Sequence, residues 1–308
     1  MELRFDGRVV IVTGAGHGLG RSHALDFARR GAKVVVNDLG GGAFGGGSDT
    51  SVAQQVVNEI TAAGGEAIAS TESVENGSKI VEQAIDSFGR VDVIVNNAGI
   101  LRDSSFTKMT EEDWDLIYRV HLLGSMRVTQ AAWPHMRSAG YGRVIMTTSV
   151  AGIYGNFGQA NYSAMKLGLV GLAKTLAIEG ATKNILVNSI GPTAGSRLTA
   201  TVLPKHVTDA LKPEYVTPAV VLLAHESSTA NGRLFEVGGG WISEVRWEQT
   251  QGVFFRDDFS AEDLASRWTD VTNFENARHA TQLSETRNGM EERIGKREAL
   301  SPQRATRS

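Results

Sequence analysis

The sequence predicts an α/β fold: a doubly wound parallel sheet of the Rossmann type forming a single domain, with a C-terminal extension. Three observations carry that prediction. Short β-branched runs alternate with helix-compatible stretches along most of the chain. A glycine-rich turn, TGAGHGLG, joins the first run to the first helical stretch. An acidic residue, Asp38, follows a second apolar run at about the twenty-residue offset that a ribose-binding carboxylate takes.

The first strand is expected at residues 9–12, a continuous Val/Ile run of the kind buried on both faces. Gly14, Gly16, Gly18 and Gly20 follow, and a helical stretch then runs to Gly31, a natural stop. Glycine suits such a turn because the backbone must approach a pyrophosphate closely, in conformations closed to other residues. Free N–H groups at the helix start, together with the helix dipole, hold the phosphates. The second run, 34–36, leads into Asn37 and Asp38, placed for the adenosine ribose hydroxyls. No Arg or Lys follows Asp38; Leu39 and Gly40 come next, so NAD rather than NADP is the expected cofactor. Residues 40–49, GGGAFGGGSD, read as a flexible loop beside the adenosine pocket.

Further strands are expected near Ala67 and at 91–95, 144–148, 185–188 and 234–237, with helices at 51–63, 75–88, 111–136 and 161–179. Ligands in such sheets bind beyond the carboxyl ends of the strands. Ser149, at a strand end, and Tyr162, at a following helix start, then face one crevice. From about residue 246 the composition changes, which divides the chain into a catalytic domain, 1–245, and an extension, 246–308. Within the extension Ser260 caps a short helix with Glu262 and Asp263 in its first turn, ending near Trp268, with Leu264 and Trp268 on one face. Beyond about residue 280 the chain is polar and charge-mixed, a composition that predicts disorder.

With 308 residues, 41% of them apolar, the chain is long enough for one large core plus an appendage. A formal net charge of −3 gives no global attraction to nucleic acid or an anionic membrane. The absence of cysteine excludes disulfides and thiol nucleophiles. No apolar stretch reaches the ~18 residues of a membrane span. The N-terminal MELRFDG lacks a signal core and the C-terminal Ala-Thr-Arg-Ser is not the peroxisomal tripeptide, so a cytoplasmic location is expected. His17, His23, His135, His206, His225 and His279 show no metal-ligand spacing, and no metal is expected.

The chemistry is carried by Tyr162 and Lys166, four residues apart in NYSAMKLGLVGLAKTLAIEG. A helix places i and i+4 on one face. A phenol titrates near ~10 and is a poor base at neutral pH; a cation alongside favours the phenolate. Tyr-x-x-x-Lys on its own most often marks a surface tyrosine and a solvated lysine. Here the pair follows a nucleotide-binding turn in the right order, with Ser149 upstream, and reads as acid/base chemistry on an alcohol or carbonyl.

TGAGHGLG, NNAG at residues 96–99, Ser149 and YSAMK together resemble the short-chain dehydrogenase/reductase family over roughly residues 1–245. VNNAGILRD, GIYGNFGQANYSAMKLGL and FEVGGGWI narrow the resemblance to its (3R)-hydroxyacyl-CoA dehydrogenase modules, in a stand-alone bacterial-type form. The resemblance implies NAD-dependent interconversion of a (3R)-3-hydroxyacyl-CoA and a 3-ketoacyl-CoA. The alternative is a 17β-hydroxysteroid or the CoA ester of a sterol side chain; a non-catalytic nucleotide sensor is a remote third reading, since such proteins lack the Tyr or Lys. It implies that Tyr162 is the acid/base, that Lys166 lowers its pKa and holds the nicotinamide ribose, and that Ser149 bonds the reacting oxygen.

For the cofactor, the resemblance implies that Gly14, Gly16, Gly18, Leu19 and Gly20 form the turn and that Asn96, Ala98 and Gly99 line its path. It also implies that Glu72 and Ser73 lie near adenine and that Pro192 and Thr193 grip the carboxamide, with Thr193 where the family usually has glycine. Where the family places a fourth catalytic Asn, this chain has His121. The imidazole either serves a proton relay or is a core histidine satisfied by backbone carbonyls. Ser149, Tyr154, Phe157 and Gln159 are implied around the substrate, and residues 193–212 resemble a mobile lid. In that lid Arg197, Lys205 and Lys212 either meet CoA phosphates or are solvated. The helix at 161–179 is apolar nearly all round, which predicts a second subunit against it, in a homodimer or homotetramer.

Overall fold

The computed structural model describes residues 2–194, 211–255, 258–281, 283, 285 and 286. Residues 195–210 of the expected lid, with Arg197 and Lys205, and the chain beyond residue 286 lie outside the described residues. The chain divides into two units, Met1–Val245 and Arg246–Ser308.

The first unit is built on one eight-stranded sheet. Its strands are β1 (Val9–Thr13), β2 (Lys33–Asn37), β3 (Glu66–Ser70), β4 (Val93–Asn96), β5 (Gly142–Thr147), β6 (Ile185–Thr193), β7 (Leu234–Gly238) and β8 (Trp241–Val245). They lie in the order β3-β2-β1-β4-β5-β6-β7-β8, and β1 to β7 pair in parallel. The order reverses between β1 and β4, which opens a crevice there.

The central parallel strands β1, β2, β4 and β5 are buried on both faces, and their alternating residues feed two separate cores. Val10, Val12, Val34, Val36, Val93 and Val95 pack on one side. Val9, Ile11, Val35, Ile94, Val144 and Val187 pack on the other. At the opposite end from the crevice the buried Asp92 accepts hydrogen bonds from Val9 N and from Arg8 and Arg90, tying β1 to β4.

Helices α1 (Gly18–Arg29), α2 (Ser51–Ala62) and α3 (Gly77–Phe88) connect the first four strands. The single helix expected at 111–136 is instead three pieces. Thr110 caps α4 (Glu111–Ile117), a π-helical turn covers Tyr118–Leu123, and α5 (Gly124–Ala139) follows. The wider turn carries the buried His121. Ser149 caps α6 (Val150–Tyr154), a short helix the sequence pattern did not show. Next come α7 (Ala160–Gly180), which bears Tyr162 and Lys166, and α8 (Thr217–Ala224).

The expectation of a wholly parallel sheet needs one correction. β8 returns antiparallel to β7 through Gly239 and Gly240, both at positive φ (57° and 83°). A two-residue turn of that hand matches strand twist and favours glycine at both positions.

The second unit holds α9 (Ala261–Ser266) and α10 (Trp268–Val271). Ser260 and Asp263 form a capping box at α9. The expected single helix is broken at Arg267, and Trp268 is 56% exposed among the described residues. Across the described residues no helix is long and apolar enough to cross a membrane.

Candidate active site

A cleft of about 2040 Å³ lies across the carboxyl ends of the parallel strands. Ordinary ligand pockets hold roughly 300–1,000 Å³, so this one has room for a dinucleotide and a second ligand together. Of the residues expected at the cofactor, Gly14, Gly18, Leu19, Asp38, Glu72, Ser73, Ala98, Gly99, Pro192 and Thr193 line it, as do Ser149, Gln159, Tyr162, Lys166 and His121.

Gly14 holds φ +63°, and a Cβ there would lie 2.7 Å from Ala98 Cα. A Cβ on Gly20 would meet the Gly14 carbonyl at 2.1 Å. The turn therefore lies flat against its neighbours, and the first residues of α1, Gly18 and Leu19, line the cleft. Gly16 and Gly20 do not line the cleft; they permit the packing of the turn. The Asp38 carboxylate accepts from Gly16 N at 2.7 Å and from Gly40 N at 2.8 Å. It thus anchors the glycine turn while still facing the cleft.

Asn96 does not line the cleft: its side chain leaves the sheet toward α5 and donates to Thr129 Oγ1 at 2.9 Å. The next residue, Asn97, lines the cleft instead and donates to the carbonyls of Thr13 (3.0 Å) and Gly14 (3.1 Å). The alternation of β4, with Val93 and Val95 on one face and Ile94 and Asn96 on the other, could have revealed the phase. Residues 40–49 are also more than a bystander loop. The Ala43 carbonyl accepts from Leu101 N at 3.1 Å, so the loop reaches across to the substrate side of the cleft.

Tyr154 and Phe157 do not line the cleft; they are 67% and 90% exposed. Gly155 and Gly158, both at φ 79°, turn that segment outward before it re-enters at Gln159. Lys212 lines the cleft beside Leu211 and Pro213.

Tyr162 sits in the first turn of α7, and Lys166 Nζ lies 5.5 Å from the centre of its ring. The ammonium donates to the Thr147 carbonyl at 2.7 Å, at the end of β5. Ser149 is at the next strand-to-helix junction, where its hydroxyl accepts from Ala151 N. Burial holds Lys166 down to about 7. Burial also pushes the Tyr162 phenol above its ordinary value; the Ser149 hydrogen bond acts against this, and the Asp103 charge adds to it. In so dry a site the cost of charging is the leading influence on both groups.

His121 packs edge-on against Tyr162, with ring centres 5.2 Å apart. Its Nε2 lies 2.8 Å from the Ile100 carbonyl, while Nδ1 is buried without a partner in the structure. Burial first, and the Lys166 charge second, hold the imidazole well below its usual pKa. The ring is neutral at pH 7. His121→Ala is expected to cost roughly 2 kcal/mol of stability through the cavity and the freed carbonyl. Urea denaturation measures that loss; unchanged stability with lost turnover would instead mark a proton-relay role.

Such an arrangement suits one class of chemistry, two-electron exchange between a carbinol or carbonyl carbon and a nicotinamide dinucleotide. The family model described as short chain dehydrogenase matches residues 8–205, and the chain belongs to that family. It is 55% identical over 309 residues to the peroxisomal multifunctional enzyme type 2 of Mus musculus, covering 99% of this chain and 42% of that one. The chain therefore spans less than half the length of that relative. The full-length peroxisomal multifunctional enzyme type 2 of Drosophila melanogaster superposes with a TM-score of 0.82 at 44% identity, over 96% of this chain and 50% of the other. A 7α-hydroxysteroid dehydrogenase complexed with NADH and 7-oxo glycochenodeoxycholic acid matches with a TM-score of 0.69 at 30% identity, over 77% of this chain and 95% of that one.

Proposed function

We propose that the chain is an NAD-dependent dehydrogenase that interconverts a (3R)-3-hydroxyacyl-CoA and the 3-ketoacyl-CoA. The observation that carries this reading is the convergence of Ser149, Tyr162 and Lys166 on the cleft that the glycine turn and Asp38 share. The cradle fits the cofactor: the turn admits no Cβ at Gly14 or Gly20, and a carboxylate stands where a 2′-phosphate would be repelled. NAD, when bound, supplies the acceptor for the hydride that leaves the carbinol carbon.

In alcohol oxidation Ser149 Oγ holds the substrate oxygen and Tyr162 Oη, as phenolate, takes its proton. Lys166 Nζ, anchored on the Thr147 carbonyl, lies 5.5 Å from the centre of the phenol ring and supplies a neighbouring positive charge when it is protonated. Because burial holds the phenol above its ordinary value, oxidation rises on the alkaline side. Ketone reduction uses the protonated phenol and persists to lower pH. Leu167 and Ile178 of α7, 40% and 68% exposed, support a homodimeric or homotetrameric assembly across that helix. A cytoplasmic site of action remains part of the proposal, although the mouse relative is named peroxisomal.

The steroid reading draws on the bile-acid ligand named for the hydroxysteroid dehydrogenase neighbour. Assaying (3R)-3-hydroxybutyryl-CoA and estradiol, each with NAD⁺ and NADP⁺, separates the two. Turnover of the thioester with NAD⁺, at a kcat/KM about tenfold or more above that with NADP⁺, is expected, and Asp38→Ala should narrow that gap. A preference for estradiol or for NADP⁺ overturns the corresponding half of the proposal.

A further inference from the structure

Asp103 belongs to none of the roles described so far, yet it lines the cleft together with Tyr162, Gln159 and Ser149. Its Oδ2 accepts from Gln159 Nε2 at 2.8 Å. The other end of that carboxamide, Oε1, accepts from Asn156 Nδ2 at 2.9 Å. These two bonds fix which way the Gln159 amide faces. Gln159 immediately precedes α7, three residues before Tyr162.

The segment bearing Asp103 is stapled to the same helix start at two further points. Ser104 N donates to the Gly158 carbonyl at 2.8 Å, and Asn161 Nδ2 donates to the Arg102 carbonyl at 3.2 Å. The neighbouring cation, Arg102, is engaged with Asp113 at 3.3 Å, and Lys166 is held by Thr147. The carboxylate is therefore bonded to a neutral amide and faces the substrate end of the cleft.

We infer that Asp103 is a specificity-determining residue: a negative charge fixed by Gln159 in the cleft that Tyr162 also lines rejects substrates that carry a free carboxylate next to the reacting carbon, and so selects the neutral thioester. This rests on the hydroxyacyl thioester reading. In a free 3-hydroxy acid the carboxylate is two bonds from the carbinol carbon that must meet Tyr162. Placing it there sets like charges together, whereas a thioester carbonyl can take the second N–H of Gln159.

The same charge acts on the phenol. The groups facing Tyr162 are Asp103, Lys166, the neutral His121 ring and the uncharged Ser149. Removing the one anion favours the phenolate.

The test compares the protein with Asp103→Asn, which keeps an acceptor for Gln159 and removes the charge, and with Asp103→Leu, which removes both. Substrates are (3R)-3-hydroxybutyrate and its N-acetylcysteamine thioester, which carries no CoA phosphates. Asp103→Asn should lower the preference for thioester over free acid by about fivefold or more at low salt, by a gain on the acid. Asp103→Leu should in addition raise KM for the thioester, because the Gln159 amide loses its anchor. A phenol absorbance titration, with Tyr162→Phe as baseline, should show the Tyr162 midpoint moving toward acid in Asp103→Asn without any turnover being needed. An unchanged preference together with an unchanged midpoint overturns the inference. Should the protein oxidise neither compound, the thioester reading fails on its own, and the titration still decides whether Asp103 acts on the phenol.

Discussion

Tyr162→Phe is expected to lower turnover by about a thousandfold or more while NAD binding stays within about threefold. The substitution removes one oxygen. The ring keeps its edge-on contact with His121, α7 keeps its packing, and Lys166 keeps its bond to Thr147. The glycine turn and Asp38 stand elsewhere in the cleft and are untouched. Steady-state assays paired with calorimetric titration of NAD read the two effects separately. Turnover near the wild-type level would show that another group moves the proton, and the proposed chemistry would fall.

The second large effect is on stability. Lys166 titrates near 10.5 when exposed and at about 7 in the folded chain, because burial disfavours its charge. Between those values the unfolded chain holds a proton that the folded chain does not. Folding therefore gains stability as pH rises through that window, by up to about 1.4 kcal/mol for each pH unit. Below about 7 both states are protonated and the penalty is present in full; above 10.5 it has gone. Lys166→Met removes this slope. It also strips the Thr147 carbonyl of its donor, but that cost does not depend on pH. Urea denaturation of both proteins from pH 7 to 10 should show the protein gaining stability relative to Lys166→Met as pH rises. Parallel curves would mean that the ammonium is better solvated than its burial indicates.

Much of this architecture was readable because the central parallel strands are covered on both faces. Such strands must be apolar throughout, and Val9 to Val12 announces one without any knowledge of its partners. β8 carries no such signal: Trp241 and Ile242 are more than half exposed, and only the two glycines before them mark the turn. The break between α4 and α5 was hidden because a π-helical turn leaves residue composition unchanged.

In the site, Tyr162 and Lys166 were legible because their spacing along one helix fixes their common face. Asn97 was missed beside Asn96 because neighbouring residues at a strand end face opposite ways. Tyr154 and Phe157 are close to Tyr162 in sequence, yet the Gly155 and Gly158 bends turn them to the surface.

The sequence by itself determined the layered α/β plan, the dinucleotide turn with its carboxylate, and the acid/base pair, because each follows from local period and spacing. Only the tertiary structure decided which polar groups are dry, that Asp103 and Tyr162 line one cleft, and that His121 is buried against the Tyr162 ring. Those properties depend on which distant segments come together to exclude water, and burial sets the cost of charge far more strongly than any neighbour along the chain.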